Sequence, residues 1–304
     1  MLSVKGAGGG SQKVFIDGMR YKENLNLTSR TFAENIQIST LPCNFYKGGA
    51  AIYRDELHII CQGASGKVYH YKFDGTSWTE VSTLPFTINA SDTPRVVVLD
   101  DALQVFTNTI HYKWDGTSWT EVSTLPFAFK YGDAVVFRNE IHILGSSSSL
   151  SSGTAHHYKF DGTSWTEVST LPYLFNHGGA CVLNDEIHIL GSDVDEYAKY
   201  HYKWDGTIWT EVGTLPFGFS NGDTAVLNNK IHILGSNYSS TYYKIHREFD
   251  GTAWKSVGEL PYSFYDGGAA VEWNNRIYIM GAGHENYYTN HYEVCHTVYE
   301  REVA

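Results

Sequence analysis

The stretch HYKFDGTSWTEVSTLPF at 70–86 decides how this chain is read, because it returns four times. The copies are HYKWDGTSWTEVSTLPF at 111–127, HYKFDGTSWTEVSTLPY at 157–173, HYKWDGTIWTEVGTLPF at 201–217 and HREFDGTAWKSVGELPY at 246–262. Trp78, Trp119, Trp165, Trp209 and Trp254 therefore stand 41, 46, 44 and 45 residues apart. A period in this range predicts units of four short strands, each a small sheet that buries both faces only when its neighbours stack on it.

The local signals within one period agree with four strands. Ala134–Phe137 and Ala180–Leu183 are apolar runs that follow glycine, and they predict an inner strand buried near an axis. Polar pairs such as Asn184–Asp185 and Asn228–Asn229 turn the chain into IHIL at 141–144, 187–190 and 231–234, the second strand. HYKF or HYKW is the third. Asp161–Gly162 and its equivalents supply the next hairpin, and SWTEVSTLP is the fourth strand, closed by a proline that cannot donate to a ladder.

Leu-Pro pairs end at Pro42, Pro85, Pro126, Pro172, Pro216 and Pro261, which gives six units. The sixth starts at Asp266–Gly267–Gly268, runs through AAVEW and IYIMG, and reaches a third strand around His291–Val294. It has no Asp-Gly turn or tryptophan after that. Its fourth strand is supplied either by NIQISTLP at 35–42, from the other end of the chain, or by Tyr299–Val303.

Composition narrows the function. The 304 residues are 42% hydrophobic, 15% aromatic and only 18% charged, which argues against a disordered chain, a coiled coil or a helical bundle. A formal net charge of -11 would repel a phosphate backbone, so no nucleic-acid partner is expected. No stretch reaches the roughly 18 apolar residues of a membrane span, and Met1–Gln12 is glycine-rich without the apolar core of a secretory signal. No membrane insertion is expected. Cys43, Cys61, Cys181 and Cys295 form no CxxC pair and read as isolated thiols, with neither a zinc knuckle nor a disulfide framework. The N-x-S/T triplets at Asn26, Asn89 and Asn237 read as chance occurrences.

Ten of the 14 histidines recur once per unit: His58, His142, His188 and His232 in the second strand, and His70, His111, His157, His201, His246 and His291 in the third. Rotational repetition spreads such residues around a ring, so they read as packing between units, each with a ring nitrogen hydrogen-bonded, and no metal or other cofactor is expected. No G-x-S-x-G elbow is present. Asp74, Asp115, Asp161, Asp205 and Asp250 are explained by hairpin geometry, and Glu80, Glu121, Glu167 and Glu211 by the solvent phase of the fourth strand. A glycosidase needs two unrepeated carboxylates about 5 to 9 Å apart. The pool for such a pair is Asp193, Asp195, Glu196, Asp266 and Glu285. The expectation is a protein that is not an enzyme.

Two connections diverge between copies while the Asp-Gly turn does not. One links the fourth strand to the next first strand (FYKGG, FKYGD, FNHGG, FSNGD, FYDGG), and the other links second to third strands. Antiparallel alternation puts both on the same end of every unit, the pattern of binding loops on a rigid frame. The predicted ligand face comprises Tyr46, Lys47, Lys130, Tyr131, Asn176, His177, Asn221, Tyr265 and Asp266 near the axis, with Tyr197, Tyr238, Tyr242, His284, Asn286, Tyr287 and Tyr288 farther out. Aromatic platforms beside amides suit sugars or a protein surface. Phe45, Phe129, Phe175, Phe219 and Phe264 recur and read as packing residues.

The succession of a Gly pair, inner strand, I-x-I-x-G strand, aromatic third strand and Trp about six residues before Leu-Pro resembles a Kelch-type β-propeller over about residues 33–298. It departs from that pattern in ending the second strand in LGS, with the Gly pairs placed before the first strand, and in SDTPRVVVLDD of the second unit. The resemblance implies an all-β, six-bladed propeller of four-stranded antiparallel blades over 33–304, preceded by an N-terminal tail over 1–32. WDGTSWTEVSTLP at 114–126, followed by GDAVVFRNEIHILGS at 132–146, also resembles propellers in structural proteins of tailed phages of Gram-positive gut hosts. The leader KVFIDGMRYKENLNLTS at 13–29 is similar to attachment segments in such virion proteins. This implies a non-catalytic binding or structural module on the exterior of a virion. Its partners would be a host surface glycan or protein, and neighbouring virion subunits reached through the tail. The alternative is a carbohydrate-active enzyme, as some Kelch-type propellers resemble galactose oxidase.

Overall fold

A computed structural model describes residues 12–16, 19–23, 32–33, 35–45, 48–62, 67–87, 94–147, 154–192, 194, 198–236, 239, 243–265, 267–281 and 289–294. Six four-stranded antiparallel sheets form the blades of a β-propeller. Blade I comprises Gly48–Tyr53, Glu56–Gln62, Lys67–Phe73 and Trp78–Thr87, and blade II comprises Arg95–Leu99, Ala102–Phe106, Ile110–Trp114 and Trp119–Thr124. Blade III contains Tyr131–Phe137, Glu140–Ser146, Ala155–Phe160 and Trp165–Thr170, and blade IV contains Gly179–Leu183, Glu186–Leu190, Tyr200–Trp204 and Trp209–Thr214. Blade V runs Asp223–Leu227, Lys230–Leu234, Ile245–Phe249 and Trp254–Glu259. A separate three-stranded sheet, Gln12–Ile16, Met19–Glu23 and Phe32–Ala33, lies within and just past the predicted tail.

The sixth blade resolves the alternative left open by the sequence. Ala269–Trp273, Arg276–Met280 and Asn290–Val294 are completed by Ile36–Thr40, which pairs antiparallel with the third strand. Tyr299–Val303 lies outside the described residues. In every blade the third and fourth strands share a bulge after the third-strand histidine, as at His70/Tyr71 and His157/Tyr158. The same bulge at His291/Tyr292 shows that Ile36–Thr40 is paired as a fourth strand in the register of the other five.

Local chemistry explains the turns. The two-residue hairpins between first and second strands place both residues at positive φ, as at Asn184 (52°) and Asp185 (60°), the conformation of a type I′ turn. In the third-to-fourth turn, Asp74 Oδ1 accepts the N–H groups of Thr76 and Ser77 at 2.8 Å, and Gly75 takes φ 95°. Gly191, Gly235 and Gly281, just past the second strand, have no room for a side chain: a Cβ would lie 2.2, 1.7 and 2.4 Å from the carbonyl oxygens of Phe219, Phe264 and Phe45.

Histidine and tryptophan build the seams. His58 and His70 share a hydrogen bond at 2.7 Å, as do His142 and His157 (2.7 Å), His188 and His201 (2.8 Å), and His232 and His246 (3.0 Å). The third-strand ring then meets two aromatics of the next blade edge-on; His157, for example, lies 5.3 Å from Trp204 and 5.5 Å from Trp209. Trp119, Trp165 and Trp209 each reach back one blade and donate Nε1–H to Ser82, Ser123 and Ser169 at 3.0, 3.0 and 3.1 Å. The reading of the histidines as packing between blades is borne out for His70, His111, His157, His201 and His291, whose rings meet the next blade, whereas His58, His142, His188 and His232 hydrogen-bond to a histidine of their own blade. Phe45, Phe129, Phe175, Phe219 and Phe264 are buried in the core, as expected.

The cysteine reading is corrected. Cys43 and Cys61 are joined in a disulfide. Cys43 follows the fourth strand of blade VI and Cys61, 18 residues on, lies in the second strand of blade I, so it is the seating of the connection on the next blade that brings them together, as Tyr173 reaches Gly191 and Tyr262 reaches Gly281 at other seams. Cys181 is free and buried, and burial pushes its thiol up. Cys295 lies outside the described residues.

Candidate functional site

The first strands converge on the axis, and their register defines a ring of equivalent positions. Gly49, Arg95, Asp133, Gly179, Asp223 and Ala269 pair with Ile60, Phe106, Leu144, Leu190, Leu234 and Met280 of the second strands. Three blades place Gly or Ala here and three place a charge. The small residues leave a cavity of about 190 Å³ at the loop-bearing end of the ring, into which the charged side chains project.

The two aspartates are held by backbone groups. Asp133 Oδ1 accepts Ala134 N–H at 2.8 Å and its Oδ2 accepts Ala180 N–H of blade IV at 2.8 Å. Asp223 repeats the arrangement, with Thr224 N–H at 2.8 Å and Ala270 N–H of blade VI at 2.6 Å. Arg95 Nε donates to the Gly132 carbonyl at 2.7 Å and lies 3.6 Å from Asp133 Oδ1. The side chains of Arg95 and Asp133 are 21% and 18% exposed, so they are shielded by the protein from bulk water. Burial and the neighbouring Asp133 charge push the Asp223 carboxyl up to about 7, and burial also raises Asp133 against the pull of Arg95.

The connections entering the inner strands form the rim. Lys130, His177 and Asn221, from three different blades, line the cavity. His177 and Asn221 adopt positive φ (50° and 54°), and Asn221 N–H donates to the His177 carbonyl at 2.6 Å, tying adjacent connections together. The Tyr131 ring packs on His177 with centroids 4.7 Å apart. Tyr265 stacks on Tyr243 at 4.4 Å.

Of the predicted face, Lys130, His177 and Asn221 are brought together at the cavity, and Tyr131 joins them through His177. Asn176 is corrected: it is fully buried, its Oδ1 accepting the Ser146 hydroxyl and its N–H donating to Ser192 Oγ at 3.4 Å, so it secures the connection from beneath and presents nothing to a ligand. Tyr46, Lys47, Tyr197, Tyr238, Tyr242, Asp266, His284, Asn286, Tyr287 and Tyr288 lie outside the described residues, as do Asp193, Asp195, Glu196 and Glu285 of the carboxylate pool. Arg95, Asp133 and Asp223 were missed. Their signal is the aspartate of Gly132–Asp133 and Gly222–Asp223 where Gly48–Gly49 and Gly178–Gly179 carry a second glycine, a departure from the repeat at the narrowest point of the ring. Among the described residues no three of His, Cys, Asp and Glu gather in the manner of a metal site.

Comparison with known proteins bears on the fold. No family model matches the chain, and no curated protein matches it. A solved structure titled "Structure of YjhT" is similar, with a TM-score of 0.66 and 16% identity, covering 84% of this chain and 95% of that one. The chain is a six-bladed β-propeller. At that identity the likeness carries the fold and nothing of the ligand, and the site rests on the propeller's own residues.

Proposed function

We propose that this propeller is a non-catalytic binding module of the Kelch type, carried on the exterior of a phage particle, that holds a host surface glycan at the loop-bearing end of its axis. The observation that carries the reading is the convergence of Lys130, His177 and Asn221, none of them shared between repeats, on one polar cavity above Arg95, Asp133 and Asp223. Guanidinium, ammonium, amide and carboxylate groups around a small space suit a ligand dense in hydroxyls, and the Tyr131 ring supplies an apolar face at the rim. The resemblance of the repeats to phage structural propellers supports the virion setting, where the N-terminal segment would meet neighbouring subunits. A glycan array and whole-cell binding test the reading. His177→Ala and Tyr131→Ala should each weaken binding by about tenfold or more, and undiminished binding by both removes this face.

One observation favours a second reading, a carbohydrate-active enzyme. The Asp223 carboxyl, at about 7, has the acidity suited to proton transfer near neutral pH, with a second carboxylate in the same cavity. Turnover of an oligosaccharide panel, abolished by Asp223→Asn, would establish it; a panel left intact argues for binding alone.

A further inference from the structure

The residue after each Leu-Pro pair fills a slot between blades, and five of the six are aromatic: Phe86, Phe127, Tyr173, Phe217 and Tyr262. Each ring packs on the following blade, four of them on its third strand. Phe86 stacks on Tyr112 at 4.4 Å, Phe127 lies 5.7 Å from Tyr158, Tyr173 lies 5.6 Å from Tyr202, and Tyr262 lies 5.5 Å from Tyr292. Phe217 lies 6.3 Å from Trp254 of blade V and shares a buried cluster with Ile245 of its third strand. At the seam between blades VI and I the residue is Cys43, engaged in its disulfide. The tyrosines it faces are nonetheless present: Tyr69 and Tyr71 stand 6.0 Å apart, 28° from parallel. A groove of about 420 Å³ opens there, lined by Cys43, Asn44, Tyr69, Tyr71, Glu80 and Thr289 among others.

We infer that this groove is a second carbohydrate site, taking a single pyranose ring in the place that an aromatic side chain occupies at the other five seams. The repeats act as internal controls: the same slot accepts a six-membered ring wherever the chain supplies one. The surroundings favour a sugar over an apolar ring. Tyr71 and Tyr69 offer a flat surface for the C–H face, while Glu80, whose Oε2 accepts the Tyr71 hydroxyl at 3.3 Å, Asn44 and Thr289 stand at the lip as partners for ring hydroxyls. Glu80 and Asn44 are exposed and the two tyrosines half-buried, so the platform is reachable from solvent. This site shares no residue with the axial cavity.

The test is ligand-observed saturation-transfer NMR on the full chain with a panel of methyl pyranosides at about 10 mM, the range of weak single-ring binding. Two double variants separate the ring from the disulfide. Cys43→Phe with Cys61→Ala restores the missing aromatic, and Cys43→Ala with Cys61→Ala removes the disulfide but leaves the slot open. Transfer should persist in the open variant, disappear in the filled one, and fall by about tenfold in Tyr71→Ala, with circular dichroism establishing that each variant is folded. Every arm is run in the His177→Ala background, which weakens the axial face, so that the signal compared between variants is that of this groove. Transfer surviving in the filled variant, equal loss in both double variants, or no transfer to any pyranoside would overturn the inference.

Discussion

Asp133 in blade III accepts a hydrogen bond from the backbone N–H of Ala180 in blade IV at 2.8 Å, so an inner strand is fastened to its neighbour by a side chain beside the cavity. Inner strands of adjacent blades have no ladder between them. Where the axis is lined by glycine and alanine, little apolar surface is available to hold them, and the aspartates replace it with charge-assisted hydrogen bonds.

Asp133→Ala should therefore cost about 3 kcal/mol, because it strips Ala134 and Ala180 of their acceptor and leaves the Arg95 charge without its neighbour. Asp133→Asn keeps one acceptor and should cost about half as much. Equilibrium unfolding in urea measures both. A change within about 0.5 kcal/mol for the alanine variant, the range of an ordinary surface substitution, would show that the hydrogen bonds hold nothing.

Acid should unfold the ring through its histidines. Burial lowers His58, His111, His142, His188 and His291 to about 4, and His70, His157 and His201 to about 3, with the paired imidazole adding to the burial effect at the last three. These groups stay neutral in the fold while the unfolded chain takes up protons below about 6.5, so stability is fully present above that pH and is lost as pH falls toward 4. Each site costs about 3 kcal/mol across the window, and a few of them exceed the roughly 5 to 15 kcal/mol of a typical domain. Asp133, Asp223 and Glu293, whose carboxyls burial raises, act in the opposite sense, but they are three sites against eight. Near-ultraviolet circular dichroism should show a cooperative transition between pH 6.5 and 4. Blade II already carries Gln104 where blades I, III, IV and V have histidine, with His111 Nε2–H donating to its Oε1 at 2.8 Å. Changing His58, His142 and His188 together to Gln should move the midpoint to lower pH, and an unmoved midpoint would locate the acid sensitivity elsewhere.

Closure of the ring depends on a strand from the far end of the chain. Ser39 Oγ hydrogen-bonds His291 Nδ1 at 2.7 Å and accepts Trp78 Nε1–H at 2.8 Å, so one hydroxyl joins blade VI to blade I. A chain of residues 35–304 should unfold at the same urea midpoint as the full protein. A chain of 43–304, which exposes the third-strand edge at Asn290–Val294, should lose at least about 3 kcal/mol and self-associate, as read by urea titration and size-exclusion chromatography. Equal midpoints for the two would show that the fourth strand is dispensable.

Blades I to V were legible in the sequence because each is built from neighbours within about 45 residues, and their turns depend on local chemistry such as the aspartate of Asp161–Gly162. The packing role of the histidines followed from their repetition alone. The Cys43–Cys61 disulfide, the burial of Asn176 and the joining of Ser39 to His291, 252 residues away, did not, because the first two depend on how blades meet and the third on which end of the chain completes blade VI. The candidate site divides in the same way. Divergent connections pointed to Lys130, His177 and Asn221, whereas Arg95, Asp133 and Asp223 became visible only when six inner strands were brought into one register around an axis. Repetition along the chain determined what each blade is, and closure in three dimensions decided which unrepeated residues face one another, since only a closed ring brings distant first strands within reach of a common cavity.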